Sequence, residues 1–189
     1  MNNKSALNLI LLHENMVNKN GELITTSLTL IDIHDIARSS KTYNLNRTYI
    51  AHPSPTLRQL GATLKKHWKD GYGSTYNPKR KDALDIVELV TNLDECIQAI
   101  TLESGSAPKL IATSARQARE KCITFPDLKK LIAADSTPLL LMLGTGWGMS
   151  DDLLERADFI LDPIKGPGEY NHLSVRSAAA IILDRLLAS

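Results

Sequence analysis

Six short runs of apolar and β-branched residues recur along the chain: Leu7–Leu12, Thr48–His52, Asp85–Val90, Pro108–Thr113, Pro138–Leu143 and Ala157–Asp162. Each is closed by turn or capping residues. Several are apolar throughout, without clean alternation, which is the pattern of strands covered on both faces. Helical patterns separate them. Leu57, Leu60, Leu64 and Trp68 recur at i, i+3, i+7 and i+11 behind Ser54-Pro55, an N-cap and a first-turn proline. Leu93, Cys96, Ile97 and Ile100 follow Asn92, with Glu95 in the capping-box position, which assigns Cys96 to the core. Leu128, Leu131 and Ile132 mark a short helix after Pro126. Val175, Ala178, Ala179, Ile182, Leu183, Leu186 and Leu187 form a full apolar stripe. Ala180 and Ile181 lie off that stripe, and a subunit interface is one explanation. Strand–helix alternation of this kind predicts an α/β fold with a parallel sheet of about six strands flanked by helices.

The chain has 189 residues, 43% hydrophobic and 23% charged, which excludes wholesale disorder. With no internal repeat and no long linker, residues 1–189 are expected to form one domain. No apolar run approaches the roughly 18 residues that span a bilayer, so no membrane partner is expected. The opening MNNKSALNLILLHEN lacks a long apolar core and a small-residue cleavage site, and it reads as a strand instead of a signal peptide. Cys96 and Cys122 make neither a disulfide framework nor a zinc site, so no metal is expected. A cytoplasmic setting is the default.

The net charge of +1 hides an asymmetry. Residues 1–82 carry 12 Lys+Arg and 6 Asp+Glu, or +6; residues 83–189 carry 10 and 15, or −5. The sharpest cluster is Lys65, Lys66, Lys69, Lys79, Arg80 and Lys81, interleaved with His67, Trp68, Tyr72 and Tyr76. Cations attract phosphates and aromatic rings stack on unpaired bases, a mixture suited to single-stranded or looped RNA. A solvated helix end followed by an ordinary loop accounts for the same charges. Within this cluster Gly71–Lys81 is expected to be the least ordered part of the chain.

The run Pro138–Leu143 leads directly into Gly144-Thr145-Gly146-Trp147-Gly148-Met149-Ser150, with a helix expected from Ser150. Alternate glycines after a strand allow a sharp turn and close backbone approach to a ligand; a tight strand-to-helix turn is the structural alternative. A dinucleotide fingerprint fails here. Its third glycine position holds Met149, Trp147 crowds the place of a pyrophosphate, and too little chain follows to complete such a fold. No phosphate-binding P-loop motif is present. The next strand leads into Pro163-Ile164-Lys165-Gly166-Pro167-Gly168-Glu169-Tyr170-Asn171-His172-Leu173-Ser174-Val175-Arg176. Two glycine-rich loops after successive strands are placed to share one pocket. Asn171 or Ser174 is also suited to cap the last helix.

The stretch LLLMLGTGWGMSDDLLERADFILDPIKGPGEYNHLSVRSAAAIILDRLL resembles the SPOUT class of RNA methyltransferases, the trefoil-knotted S-adenosylmethionine enzymes. Asp32-Ile33-His34-Asp35-Ile36-Ala37-Arg38 resembles that class's first motif, with Asp32 in place of Asn and His34 in place of Gly. The whole chain looks most like a bacterial family within the class, with the stretch GYGSTYNPKRKDAL among its marks. The resemblance implies a C-terminal knot over about residues 138–189 and S-adenosylmethionine as cofactor. It would be held by Leu143, Gly144, Thr145, Gly146, Trp147, Gly148, Ile164, Gly166, Pro167, Gly168, Asn171, His172 and Leu173, with Leu143, Ile164 and Leu173 as apolar walls.

The resemblance also implies a homodimer acting on tRNA or rRNA. Two chemistries stay open. In the ribose-methylating branch an Arg of the first motif and a Ser near the last helix act on a 2′-hydroxyl, and Arg38 and Ser174 match them. In the guanine-N1 branch a Gly-Asp-Tyr run supplies a carboxylate, and Gly168-Glu169-Tyr170 resembles it. The cation-rich segment Lys65–Lys81 would then meet the RNA. A non-catalytic RNA-binding or ribosome-assembly protein, and an α/β enzyme acting on a small nucleotide, are the alternatives.

Overall fold

The computed structural model describes residues 6–118, 120–134 and 137–188. Seven strands form one parallel sheet: β1 (Leu7–Leu12), β4 (Thr48–Ala51), β5 (Val87–Val90), β6 (Lys109–Thr113), β7 (Cys122–Ile123), β8 (Leu139–Gly144) and β9 (Phe159–Leu161). Two further strands, β2 (Met16–Val17) and β3 (Leu23–Ile24), make a separate antiparallel hairpin. The sheet order is β5-β4-β1-β8-β6-β9-β7. All six expected strands are present, and the two-residue β7 adds a seventh beside β9, too short to show a hydrophobic period. The opening stretch read as a strand does form β1 from Leu7 on; its first five residues lie outside the described ones.

The apolar runs are explained by two covered faces. Along β1, Leu7, Leu9 and Leu11 enter one core cluster and Ile10 and Leu12 the other; along β8, Leu139, Leu141 and Leu143 alternate likewise with Leu140 and Met142. Helices α1 (Leu30–Thr42) and α8 (Val175–Leu187) cover the first face, with α2 (Pro55–Lys69) and α6 (Phe125–Ala134) alongside. Helices α5 (Leu93–Ser104) and α7 (Asp151–Glu155) cover the second. Cys96 is buried there, and burial pushes its thiol pKa up, so it stays a neutral core residue.

Sequence-encoded caps set the helix starts. Ser54 accepts from Leu57 N–H at 3.5 Å and Asn92 from Glu95 N–H at 2.9 Å; Ser150 and Ser174 begin α7 and α8 in the same way. The segment Gly71–Lys81 carries α3 (Tyr72–Tyr76) and the start of α4 (Pro78–Leu84). Asn77 caps α4 by accepting from Arg80 N–H at 3.1 Å, with Pro78 in the first turn. Among the described residues no helix is long and apolar enough to cross a membrane.

Candidate active site

The sheet order places β8 between β1 and β6, so the loop after β8 leaves the carboxyl edge in the middle of the sheet. Ligands of open α/β sheets bind at that edge, where the strand order reverses. A cleft of about 1210 Å³ opens there. It is lined by the loop 144–150, by Thr113–Arg116 after β6, by Asp162 and Ile164 after β9, and by residues 171–175 leading into α8.

The glycine loop is held by the hairpin. Trp147 N–H donates to Val17 O at 3.1 Å, Val17 N–H to Gly148 O at 2.9 Å, and Ser150 N–H to Asn15 O at 2.9 Å. The Thr145 hydroxyl donates to Leu12 O at 3.0 Å and is bonded to the Thr26 hydroxyl at 2.5 Å. Gly146 and Gly148 have φ of +61° and +112°, a region that favours glycine. A Cβ on Gly146 would lie 3.2 Å from Thr26 Cγ2 and 3.3 Å from Val17 O, whereas one on Gly148 would meet nothing within 4 Å. Gly146 therefore serves the fit of loop to hairpin, whereas Gly148, whose N–H donates to Thr145 O at 3.1 Å, leaves free space beside its Cα.

Thr26 is anchored from its other side by two buried histidines. His52 Nδ1 accepts from Ser54 N–H at 3.0 Å, so its proton is on Nε2, which donates to Thr26 O at 3.0 Å. His13 Nδ1–H donates to Ala51 O at 2.9 Å, and its buried Nε2 has no hydrogen-bond partner. Burial, with the neighbouring His52 adding to it, lowers the His13 pKa against the opposing hydrogen bond.

The second loop meets the first through side chains. Asn171 Nδ2 donates to Ala115 O at 2.9 Å, fixing the loop beside the end of β6. The His172 ring contacts Trp147 at 6.2 Å and Tyr170 at 5.5 Å between centroids, so three aromatic rings bridge the two loops at the cleft mouth. Leu173 lines the cleft while 45% exposed. Ser174 lines it too, with its Oγ accepting from Ser177 N–H at 3.2 Å as the α8 cap.

The expected ligand-holding residues Leu143 to Gly148, Ile164 and Asn171 to Leu173 all line this one cleft, as does Glu169. Gly166, Pro167 and Gly168 are exposed and lie outside the lining. Arg38 is exposed on α1 and does not line the cleft of its own chain. Both departures in the first motif have partners. Asp32, 7% exposed and on the cleft wall, accepts from Arg176 Nη1 at 2.7 Å and from the Thr29 hydroxyl. His34 packs edge-on against Trp68 at 5.6 Å. Burial first, then the nearby cations Arg80 and Arg38, lower the His34 pKa.

In the cation-rich segment, Lys65 is committed to the fold: its ammonium donates to Val87 O and lies 3.9 Å from Glu88, and burial lowers its pKa. Lys69 lies 3.9 Å from Asp85, and Arg80 sits 4.4 Å over the Trp68 ring. Lys66 and Lys79 are exposed and Lys81 half-exposed. Tyr72 and Tyr76 are 76% and 73% exposed.

Two contributors to the cleft escape sequence reading: Thr113–Arg116 carries only the generic signal of following a strand, and the role of Thr26 depends on tertiary contacts. Arg176 closes the second polar stretch of the sequence, but its pairing with Asp32 spans 144 residues of chain.

A family model described as SAM-dependent RNA methyltransferase matches residues 6–188. A "tRNA (guanine-N(1)-)-methyltransferase" of Oleidesulfovibrio alaskensis is 44% identical over 177 residues, covering 94% of this chain and 41% of that protein. An uncharacterized protein of Aquifex aeolicus is 39% identical over 180 residues, covering 95% of this chain and 87% of its own length. The solved structure of the TrmH/SpoU tRNA modifying enzyme of Aquifex aeolicus superposes with a TM-score of 0.58 at 16% identity, covering 97% of this chain and 75% of that one. That similarity establishes the shared α/β fold. The chain spans about two fifths of the guanine-N1 relative, so the activity named there belongs to a protein most of which lies outside the match.

Proposed function

The chain belongs to the SAM-dependent RNA methyltransferase family, and from that premise we propose that it methylates a nucleoside of tRNA or rRNA at the cleft beside Gly144–Gly148. The observation that carries this reading is the convergence of both glycine-containing loops on one cleft at the carboxyl edge of the sheet. S-adenosylmethionine, when bound, supplies an electrophilic methyl group on a positively charged sulfur.

The residues present suit that molecule. Leu143, Leu161, Ile164, Val175 and Ile182 offer apolar walls for an adenine, and the empty space beside the Gly148 Cα lets a ligand come close to the loop. A volume of about 1210 Å³ exceeds the roughly 300–1,000 Å³ of ordinary ligand pockets, leaving room for an acceptor nucleoside beside the cofactor. Apolar walls exclude water, and orienting the acceptor about 3 Å from the methyl accounts for much of the rate gain.

Methylation of a hydroxyl or a ring N–H needs a group to take the proton. Asp162 and Glu169 are the carboxylates of the second loop that line the cleft; Asp162 accepts from Gln117 Nε2 at 2.9 Å, whereas Glu169 is exposed and stands in the Gly168-Glu169-Tyr170 run, so we assign it that role. Ser174 caps α8 and orients the loop. Arg38 supports a second reading. It is without an ion pair among the described residues and does not line the cleft of its own chain, which suits a role in the cleft of a second copy. Half-buried Ala180 and Ile181 on α8, with exposed Ile31 on α1, give that second copy an apolar seat in a homodimer. A cytoplasmic setting goes with RNA as substrate.

Mass mapping of nucleosides in total tRNA and rRNA from a strain lacking the chain tests the function. One methylated nucleoside absent from that strain and restored by the wild-type chain is expected. An unchanged nucleoside profile would overturn the proposal.

A further inference from the structure

We propose that α2, α3 and α4 form a docking platform for an unpaired RNA segment, with Tyr72 and Tyr76 stacking bases and Lys66, Lys79 and Lys81 contacting phosphates. The proposal rests on the RNA methyltransferase reading and adds where the substrate is held outside the cleft.

Two large aromatic side chains in water are the first observation. Tyr72 and Tyr76 expose about three quarters of their surface, and their rings stack on each other at 6.1 Å between centroids with 26° between planes. Neither ring packs into a core cluster. Such a pair presents a flat π-face, and base–aromatic stacking is tolerant of sequence.

Glycine places this pair. A Cβ on Gly73 would lie 2.6 Å from Trp68 Cε3, and one on Gly71 would lie 2.6 Å from His67 O. Only with both side chains absent does α3 fold back tightly onto the end of α2. The tyrosines, four residues apart, then share the outward face of the helix. Trp68 is held in turn by Arg80 over its ring and by His34 and His67 edge-on. The base of the platform is therefore packed, not loose.

Charge supplies the third observation. Of the six cations, Lys65, Lys69 and Arg80 have partners within the fold. Lys66, Lys79 and Lys81 have no ion pair among the described residues. Asp70 and Asp82 are the only acids between residues 65 and 82. Arg38, close enough to His34 to affect its titration, adds a cation on the α1 side. Helix α1 thus runs from Asp32 on the cleft wall to His34 against Trp68, which joins platform and cleft.

A duplex buries its base faces and offers only phosphates and grooves, so stacking on the tyrosine pair selects unpaired RNA. The test uses a fluorescent 12-nucleotide uridine-rich single strand and a blunt RNA duplex of the same length, titrated with the full chain. Wild type is expected to bind the single strand more tightly. Tyr72→Ala/Tyr76→Ala is expected to weaken single-strand binding about tenfold or more and leave duplex binding unchanged. Lys66→Gln/Lys79→Gln/Lys81→Gln is expected to lower the slope of log K against log salt by about two. Melting temperature and S-adenosylmethionine affinity of each variant verify the fold.

Variants that melt as wild type yet bind the single strand equally well would overturn the platform. So would a tyrosine effect equal on both probes. If these variants methylate RNA normally, the platform falls and the methyltransferase reading stands. If the binding losses appear in a chain that methylates nothing, the platform stands and that reading falls.

Discussion

The Arg176 guanidinium donates to Asp32 Oδ1 at 2.7 Å and lies 3.4 Å from Asp35 Oδ2, tying the first turn of α8 to α1 beside the cleft. Asp32 is nearly buried, so this pair is not an ordinary surface ion pair. Removing the cation leaves a carboxylate held away from water. Arg176→Met is expected to destabilise the chain by about 1–3 kcal/mol in urea unfolding, less than for a fully buried pair because Arg176 is partly exposed. Asp32→Asn/Arg176→Met is expected to recover part of that loss. A double-mutant cycle with no coupling between the two would contradict the pairing.

The pair also marks where local sequence patterns stop being informative. The strands β1, β4, β5, β6, β8 and β9 were legible because burial on both faces writes apolar runs. Ser54, Asn92, Ser150 and Ser174 were legible because capping is local. The helix α4 also had a local signal, Asn77-Pro78, obscured by the surrounding glycines and lysines. The hairpin β2–β3 has two residues in each strand, too few to show a period. Its contacts with the glycine loop are long-range, from Val17 to Trp147 and from Thr26 to Thr145. Both glycine-containing loops were legible as a pocket, but its third wall, Thr113–Arg116, has no distinctive composition. In the first motif, the acid at position 32 makes sense only beside Arg176, which no spacing along the chain indicates.

Leu173 is an apolar side chain left 45% exposed on the cleft wall. Covering a fully exposed leucine stabilises by about 1.5–3 kcal/mol, and covering the exposed part of Leu173 by about half of that. Leu173→Asp is accordingly expected to weaken S-adenosylmethionine binding by about three- to tenfold in titration calorimetry, with the melting temperature nearly unchanged. Wild-type affinity in this variant would move the cofactor away from the second loop.

His13 gives the fold an acid sensitivity. Burial lowers its folded-state pKa below the ordinary value of 6.5, and its bare Nε2 has no acceptor nearby if it gains a proton. The unfolded chain binds that proton more readily, so stability is full above about pH 6.5 and is lost as pH falls toward the lowered folded value. His34, lowered mainly by burial as well, acts in the same direction. Urea unfolding between pH 7.5 and 5 is expected to show stability falling with acid. His13→Gln is expected to flatten that dependence; an unchanged pH profile would show that His13 contributes nothing to it.

Glu169 and Arg38 separate two ways of completing the site. As the proton acceptor, Glu169→Gln is expected to lower the single-turnover rate about 10²–10⁴-fold with cofactor affinity unchanged. If Arg38 serves the partner's cleft, Arg38→Ala is expected to be severely impaired by itself. An equal mixture of the two variants would then recover about a quarter of wild-type sites, since half the dimers each carry one intact site. No recovery on mixing, with both variants inactive alone, would place both residues in one chain's site. Wild-type rates in both would remove them from the chemistry.

Transfer itself is the most direct measurement. RNA purified from a strain lacking the chain is incubated with stoichiometric wild-type protein and S-adenosylmethionine tritiated on the methyl group, and the RNA is digested to nucleosides. Label is expected in a single methylated nucleoside, slowed about 10²–10⁴-fold with Glu169→Gln and absent from RNA of the wild-type strain, where the position is already filled. A folded protein that binds S-adenosylmethionine in calorimetry but leaves all the tRNA and rRNA of the deletion strain unlabelled would contradict the assignment of this cleft as an RNA methyltransferase site.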